Sequence, residues 1–370
     1  MVPGMTLPDT ILPLIPAFGG ILVVLLSLLP PPSSLSPSSS PSSLSYDYAT
    51  KTVKSIATLG TGNSLGPEQP CIDTGVYVSE LVDKALGNDS LTEAQTRTSS
   101  IATGVAAGVG GGFNAPVSGV FFALETLPLN SASISNLFLT SISSSLVTHA
   151  ILNDDLAFNT PELFVSNSLT ELPLYVGLGV LSGLTSYLLT KTTSTLVDIK
   201  SSLPPRSILN VGAPIFAGLL TGLIGYYRPR VLFFGYDTLN SLLTDTLPPE
   251  LLITLLFLKI ATTSSATASG LAGGQLAPSL FIGATLGGAY HAFLSPFISS
   301  DLLSSAPTYA LIGAASVLSS KFKTPVFGGV LLFELTRDYD VLLPLLGSAW
   351  VGNLVANAVG GERKGGGGED

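Results

Sequence analysis

The chain has 370 residues, of which 46% are apolar and only 11% carry a charge. Soluble domains have roughly a quarter of their residues charged, so the composition excludes an ordinary water-soluble domain and predicts an integral membrane protein. The net charge of −9 argues against a nucleic-acid partner, because phosphate binding needs clustered Lys and Arg. One cysteine, Cys71, and two histidines leave no internal disulfide and no histidine-rich metal site, and no cofactor is predicted.

Apolar stretches that are nearly free of charge recur along the chain, and we expect them to form membrane helices. A straight helix across the hydrocarbon core needs about 20 apolar residues, and several of these stretches are shorter or contain Gly and Pro. The predicted fold class is therefore all-α, a polytopic membrane protein of short, broken and tilted helices. The stretches are residues 11–29, 101–127, 172–190, 208–226, 251–261, 276–298, 309–319 and 326–358.

The domain organisation follows from composition along the chain. Residues 1–30 are predicted to hold a membrane helix, which is favoured over a secretory signal because no cationic residue precedes the apolar run. The Ser/Pro tract predicts a solvated loop over 31–50, and the Gly-rich end predicts a disordered tail over 359–370. The membrane-embedded part is expected as two repeats, 51–200 and 201–358.

An internal repeat indicates these two halves. FNAPVSGVFFALET (113–126) matches FKTPVFGGVLLFELT (322–336), with Pro, Gly and Glu in register 209 residues apart. GTGNSLGPEQPCIDTG (60–75) matches ASGLAGGQLAPSLFIG (268–283) at an offset of 208. Two motifs with nearly one offset indicate duplication, and membrane transporters built from inverted-topology repeats place the substrate where broken helices meet. We therefore expect the function in the paired Gly-rich segments.

The Gly-rich segments have the composition of an anion site. In LGTGNSLGPEQP (59–70), glycines and prolines precede a helix-like run, and SGLAGGQLAP (269–278) repeats the pattern. A helix N-terminus presents unbonded N–H groups and about half a positive charge, so it attracts an anion without Lys or Arg. Partial charges also let the ion leave, as conduction requires. Chloride is therefore favoured over a cation.

Glu68 is the one charged residue of the first segment, and an intramembrane carboxylate is by default a functional hypothesis. Two interpretations stay open. The side chain could occupy the anion site and leave it when protonated, which would make Glu68 both gate and proton carrier. Alternatively, it could be a first-turn acid stabilised by the helix dipole, or it could face water.

These motifs resemble those of the CLC family, the voltage-gated chloride channels and proton–chloride exchangers. GNSLGPEQP resembles the family's G-K/R-E-G-P motif, GGQLAP its G-x-F-x-P motif, and ATGVAAGVGGGFNAPVSGVFFALE its FNAP helix pair. The resemblance extends from about residue 50 to 358. The GPE form is most similar to the plant and cyanobacterial branch, which implies an organelle membrane such as that of a plastid or thylakoid.

The resemblance implies roles for particular residues. Glu68 matches the gating glutamate, and the backbone amides of Gln275 and Leu276 match those that bind the central anion. It also implies a homodimer in the lipid bilayer, with one pore per subunit for chloride or other small anions and with protons as a coupled ion. The implied anion-binding residues are Gly66, Pro67, Gln69, Gly274, Gln275, Leu276 and Ala277.

Several positions depart from the family pattern. The family's first motif supplies a serine to the anion, but the matching region here is the Ser/Pro tract after Leu29, where that serine cannot be located. The family's central tyrosine has no match either, because no tyrosine follows Tyr339. Gln69 replaces a glycine, and the regulatory CBS domains of many relatives have no counterpart. The alternative function is therefore a non-conducting or truncated CLC-like subunit with a structural or regulatory role.

The distinction between channel and exchanger stays open at the sequence level. In exchangers a second glutamate follows the one that ends the FNAP helix, but here Glu125 is followed by Thr126. Glu125 and its repeat partner Glu334 are predicted to be structural, bonding a nearby backbone or capping a helix. An enzyme is not predicted, because the serines before His149 lack a nucleophile motif.

Overall fold

The structure is a computed structural model that describes residues 11, 13–29, 41–86, 93–127, 134–152, 171–204, 207–244, 247–299 and 302–361. Over these residues the secondary structure is helical, apart from one isolated β-bridge between Gly66 and Gly274. The α-helices are α1 (Leu14–Leu28), α2 (Pro41–Gly60), α3 (Glu68–Leu86), α4 (Glu93–Phe113), α5 (Pro116–Thr126), α6 (Ile134–Leu152), α7 (Leu172–Ser202), α8 (Ile208–Val211), α9 (Ala213–Tyr227), α10 (Tyr236–Thr244), α11 (Pro249–Ser269), α12 (Leu276–Leu294), α13 (Ala306–Phe322), α14 (Pro325–Thr336) and α15 (Leu342–Gly360).

The all-α, polytopic prediction is confirmed. Among the described helices, α6, α7, α11 and α15 are long and apolar enough to cross a membrane. Others that are equally apolar, such as α1, α9 and α14, have only 15, 15 and 12 residues. Helices this short do not span about 30 Å of hydrocarbon, which matches the expected mixture of full spans and broken helices.

Two predicted boundaries were wrong. Residues 41–50 belong to α2 instead of the predicted loop, because Pro41 suits the first turn of a helix and no Gly or Pro interrupts the chain before Gly60. The predicted tail from residue 359 begins too early, since α15 continues to Gly360. The Ser/Pro residues 30–40 and residues 362–370 lie outside the described residues.

The chain forms two compact units, and neither coincides with one of the predicted halves. Unit 1 comprises Met1–Pro70, Lys191–Gly235 and Phe257–Pro278, and unit 2 comprises Cys71–Thr190, Tyr236–Leu256 and Ser279–Asp370. Each unit takes segments from both halves of the sequence, because corresponding segments of the two repeats pack against each other.

Unit 1 is built on the packing of α1 against α9. Gly20 lies against the backbone of Pro214, and Gly218 lies against the carbonyl group of Pro16, so any side chain at either glycine would collide with the facing helix. Small residues at such contacts let membrane helices approach closely. Beside them lies an apolar core made of Val23, Leu65, Ala217, Ala266 and Leu271.

Unit 2 contains the FNAP-like pair α4–α5 and its counterpart α13–α14. Helix α4 packs on α5 and α6, helix α13 packs on α14 and α15, and α5 packs directly on α14. The ring centroids of Phe122 and Phe327 are 4.7 Å apart at that contact. The two members of the repeat therefore share one interface in unit 2.

The backbone confirms the internal repeat. Gly62 and Gly270, which are 208 residues apart, have φ angles of +87° and +94°. Asn114 and Lys323, which are 209 residues apart, have φ angles of +52° and +60°. Left-handed backbone is uncommon outside glycine, so the same conformation at matching positions indicates two copies of one fold.

Candidate anion site

The two Gly-rich segments meet in unit 1. The N–H of Gly66 donates to the carbonyl oxygen of Gly274 at 2.8 Å, and the N–H of Gly274 donates to the carbonyl oxygen of Gly66 at 2.7 Å. These reciprocal bonds form the isolated antiparallel β-bridge. The bridge joins the two repeats at equivalent positions, 208 residues apart.

Each turn leads directly into a helix. Helix α3 begins at Glu68 and helix α12 begins at Leu276, two residues after the bridge in each case. Pro70 and Pro278 lie in the first turns, where an N–H would have no partner within the helix. Two helix N-termini, each with its partial positive charge, thus begin beside one bridge.

The carboxyl group of Glu68 lies against this bridge. The residue is only 4% exposed. A Cβ atom built on Gly274 would lie 2.9 Å from Oε2 of Glu68, and a Cβ built on Gly66 would collide with the same oxygen. The carboxyl group therefore occupies the space that side chains at the two glycines would fill.

Hydroxyl groups hold the turns in place. Thr58 Oγ1, at the end of α2, accepts a hydrogen bond from the N–H of Ala272 at 3.2 Å, which links the first segment to the second. Ser64 Oγ and Thr263 Oγ1 are 3.0 Å apart, and both side chains are buried. Buried polar groups need such partners, so these bonds fix the turns relative to each other.

The structure places all the predicted site residues in these two turns. The bridge joins Gly66 to Gly274, and the carboxyl group of Glu68 lies against it. The side-chain amide of Gln275 donates to Thr267 Oγ1 at 2.6 Å. Gln69 is exposed and Pro67 is half-buried, whereas the last two predicted residues are buried, namely Leu276 and Ala277. Anion binding by these residues stays a prediction.

Glu125 and Glu334 have the structural role that was predicted. Glu125, at the end of α5, accepts hydrogen bonds from the N–H groups of Val326 and Phe327 at 3.0 and 2.7 Å, at the start of α14. Glu334, at the end of α14, accepts from the N–H groups of Val117 and Ser118 at 2.9 and 2.7 Å, at the start of α5, and from the Ser118 hydroxyl. Each glutamate caps the N-terminus of the other helix.

Two functional candidates were missed in the sequence. Lys259, in the middle of an apolar stretch, is fully buried in unit 1, and its Nζ donates to the carbonyl oxygens of Val231 and Phe233. Lys200 Nζ donates to the carbonyl oxygen of Ser269 at 2.6 Å, just before the second Gly-rich turn. The sequence signal for Lys259 was an isolated lysine inside the apolar stretch FLKIATT.

A buried polar cluster in unit 2 was also missed. Glu171 is 1% exposed, and it accepts hydrogen bonds from the N–H and the hydroxyl of Ser304, both at 2.7 Å, and from the hydroxyl of Tyr309 at 2.9 Å. Tyr175 and Ser304 have their hydroxyl oxygens 2.8 Å apart. These bonds compensate the burial of the carboxylate and tie the start of α7 to the start of α13.

Comparison with known proteins agrees with this geometry. A family model described as "voltage gated chloride channel" matches residues 45–357. The chain belongs to the voltage-gated chloride channel family. It is therefore an integral membrane protein of a family of channels and transporters.

Named relatives and solved structures extend this assignment. The chain is 38% identical to chloride channel protein CLC-e of Arabidopsis thaliana over 371 residues, covering 91% of this chain and 52% of that protein. It is 29% identical to the H(+)/Cl(−) exchange transporter ClcA of Klebsiella pneumoniae, covering 84% of this chain and 66% of that protein. The crystal structure of a slow cyanobacterial Cl⁻/H⁺ antiporter shares the fold, with a TM-score of 0.83, 21% identity, and coverage of 97% of this chain and 86% of that one. The chain thus spans about half the length of its plant relative.

Proposed function

We propose that this CLC-family chain carries chloride and other small anions across a membrane, through a pathway inside each subunit that Glu68 opens and closes. The observation that carries this proposal is the position of the Glu68 carboxyl group against the Gly66–Gly274 bridge, where α3 and α12 begin. A carboxylate and a halide are both anions that peptide N–H groups attract, so the two compete for the same place.

The gating step follows from this competition. Ionised Glu68 is attracted to the two helix N-termini and excludes chloride. When Glu68 takes up a proton, its charge is lost, its attraction to the N-termini weakens, and an anion replaces it. Flux should therefore rise as the pH falls through the range in which Glu68 titrates.

We propose that the anion moves passively. Both carboxyl oxygens of Glu125 accept hydrogen bonds from α14, and the hydroxyl of Thr126 donates to the carbonyl oxygen of Phe122 at 2.6 Å. The carboxyl group of Glu125 and the hydroxyl of Thr126 are thus both hydrogen-bonded at the end of α5. Exchangers of the family carry a proton-accepting glutamate at this place. Proton-coupled exchange is the second candidate, because ClcA is named an exchange transporter.

We also propose a homodimer in the membrane of a plastid or another organelle. Helix α6 offers an apolar face that suits either lipid or a second subunit, with Leu139, Leu146 and Ile151 at 66%, 61% and 74% exposure. The identity to a plant relative supports the location. The mass of the protein–detergent complex measured by light scattering tests the dimer, and a fluorescent fusion of the full-length protein in plant cells tests the location.

The test of the main proposal is chloride efflux from proteoliposomes, with external chloride and pH recorded together. Wild-type protein should release chloride faster at low pH and move no protons against the chloride gradient. Glu68→Gln removes the charge permanently, so its flux should be high and independent of pH. Proton uptake driven by the chloride gradient would replace the passive proposal with exchange. If neither protein passes chloride, the chain is a non-conducting subunit and the proposal is wrong.

A further inference from the structure

Lys259 is a buried lysine in the part of the chain that holds the candidate anion site. It lies on α11 with 0% of its surface exposed, and it belongs to unit 1 together with Glu68 and the Gly66–Gly274 bridge. Burying an ammonium group inside a membrane protein is costly unless polar groups compensate it. Lys259 Nζ donates hydrogen bonds to the carbonyl oxygens of Val231 at 2.9 Å and Phe233 at 2.7 Å.

Both carbonyl groups belong to one turn, residues 228–235, which we name the Phe233 turn. Phe233 has a φ of +57°, a left-handed conformation that is unfavourable for a bulky aromatic residue. Such a conformation persists only when the surroundings enforce it. Lys259 is part of those surroundings, because its Nζ binds the carbonyl oxygen of Phe233 itself.

The Phe233 turn in turn contacts the first Gly-rich segment. The N–H of Phe233 donates to the carbonyl oxygen of Gly62 at 3.1 Å. The ring of Phe233 lies 3.4 Å from the place where a Cβ of Gly62 would stand. Gly62 itself has a φ of +87°, and the chain turns there toward Gly66 and Glu68. A continuous series of contacts thus runs from Lys259 through Phe233 to the start of the gating segment.

We infer that Lys259 is a positioning residue for the anion site, and that it fixes the Phe233 turn under Gly62 and so sets the place of the Glu68-bearing turn. This inference rests on the proposed function.

The test compares the chloride affinity of the wild type with that of four variants by isothermal titration calorimetry of the detergent-solubilised full chain. Lys259→Met keeps the length of the side chain but removes the charge and both hydrogen bonds. We expect its Kd for chloride to rise at least about tenfold, because a shift of about 1 Å at a binding group can cost up to a hundredfold. Lys259→Arg keeps the charge and donors, and it should restore most of the affinity.

Lys321→Met is the matched control. Lys321 lies in the last turn of α13 and belongs to unit 2, where its Nζ donates to Thr190 Oγ1 at 3.1 Å. This variant should bind chloride as the wild type does. A melting temperature recorded for each variant separates affinity from folding, since a purely structural lysine would lower the melting temperature and leave the Kd of the folded protein unchanged.

Phe233→Gly covers the case in which Lys259→Met does not fold. Glycine accepts the left-handed conformation without strain and keeps the backbone hydrogen bonds, but it removes the ring under Gly62 and loosens the turn. The Kd of Phe233→Gly for chloride should also rise, by a smaller factor than that of Lys259→Met. If Phe233→Gly or a folded Lys259→Met binds chloride with the wild-type Kd, the inference is wrong. If the wild type itself gives no chloride-binding heat, the proposed function fails, and the inference with it.

Discussion

Carboxyl groups lie beside helix N-termini in both units of the molecule, but the two arrangements differ in symmetry. In unit 2, Glu125 and Glu334 occupy equivalent positions of the repeat, and each bonds two N–H groups of the other helix. In unit 1, Glu68 lies at the bridge, and the equivalent position in the second repeat, 208 residues later, is Leu276. One repeat therefore provides a carboxyl group at the bridge and the other does not.

This difference indicates a structural role for the glutamates of unit 2 and a functional role for Glu68 in unit 1. Two equivalent glutamates complete both helix N-termini of α5 and α14, so no N–H at these positions needs a further partner. Two helix N-termini, each worth about half a positive charge, are roughly balanced by one ionised carboxyl group and lose that balance when the group takes up a proton. Unit 1 therefore attracts another anion once Glu68 is protonated, while each of the corresponding N-termini in unit 2 has a carboxyl group of its own.

Making unit 1 symmetric should have the largest effect. Leu276→Glu would place a second carboxyl group at the start of α12. At neutral pH the chloride affinity should fall roughly a hundredfold or more, because the new carboxylate repels the incoming chloride. Two like charges about 4 Å apart repel by about 4 kcal/mol at an effective dielectric of 20. Calorimetric titration measures the loss, and Leu276→Gln, with similar size and no charge, is the control. Wild-type affinity in Leu276→Glu would refute the asymmetry argument.

Filling the space at the bridge should have the next largest effect. Gly274→Ala adds a methyl group 2.9 Å from the Glu68 carboxyl oxygen and 3.1 Å from the backbone nitrogen of Gln69, so one of them must move. Chloride flux from proteoliposomes should drop about tenfold, in line with the sensitivity of binding sites to small displacements. Gly347→Ala, at a glycine of α15 with open space around it, should leave flux unchanged. Equal flux in both variants would show that the bridge does not form the pathway.

Removing a cap in unit 2 should cost stability instead of affinity. Glu125→Ala or Glu334→Ala leaves two N–H groups without their acceptor, and hydrogen bonds to charged groups contribute about 1.5–3 kcal/mol each, less where solvent reaches them. We expect each variant to lower the unfolding free energy by about 2–4 kcal/mol, with the larger loss for Glu334→Ala, because Glu334 also accepts a hydrogen bond from the Ser118 hydroxyl. Thermal unfolding in detergent measures this, and chloride affinity of the folded fraction should stay at the wild-type value. A changed affinity would give these glutamates a part in transport.

Thr126 should give the smallest effect. Its side chain is exposed and its hydroxyl bonds only within α5, to the carbonyl oxygen of Phe122. Thr126→Ala should change the unfolding free energy by no more than about 0.5 kcal/mol, as is usual for surface positions. Chloride flux and proton movement should also match the wild type. If proton movement disappears with the hydroxyl, Thr126 serves as a proton relay and the passive proposal is wrong.

The sequence predicted the local features of the site well. Gly and Pro mark the two turns because glycine adopts left-handed backbone without strain and proline suits the first helical turn. The offset of 208 residues predicted that the two turns correspond. What it could not predict is which groups meet across the chain. The N–H groups that donate to Glu125 lie 201 and 202 residues away along the chain. The carbonyl groups that Lys259 binds belong to a turn with no sequence signal for left-handed phenylalanine. The start of α2 was missed because serine content predicts a loop, although Pro41 can open a helix.

The crossed caps of α5 and α14 bear on how the chain is made. Helix α5 leaves the ribosome long before Glu334, which follows Ser118 by 216 residues. At about 5–20 residues per second, its first N–H groups wait on the order of tens of seconds for their acceptor. During that interval the newly inserted first half is incomplete in the bilayer, which makes it a candidate client for membrane chaperones. Two halves expressed as separate polypeptides should persist in cells only when they are produced together.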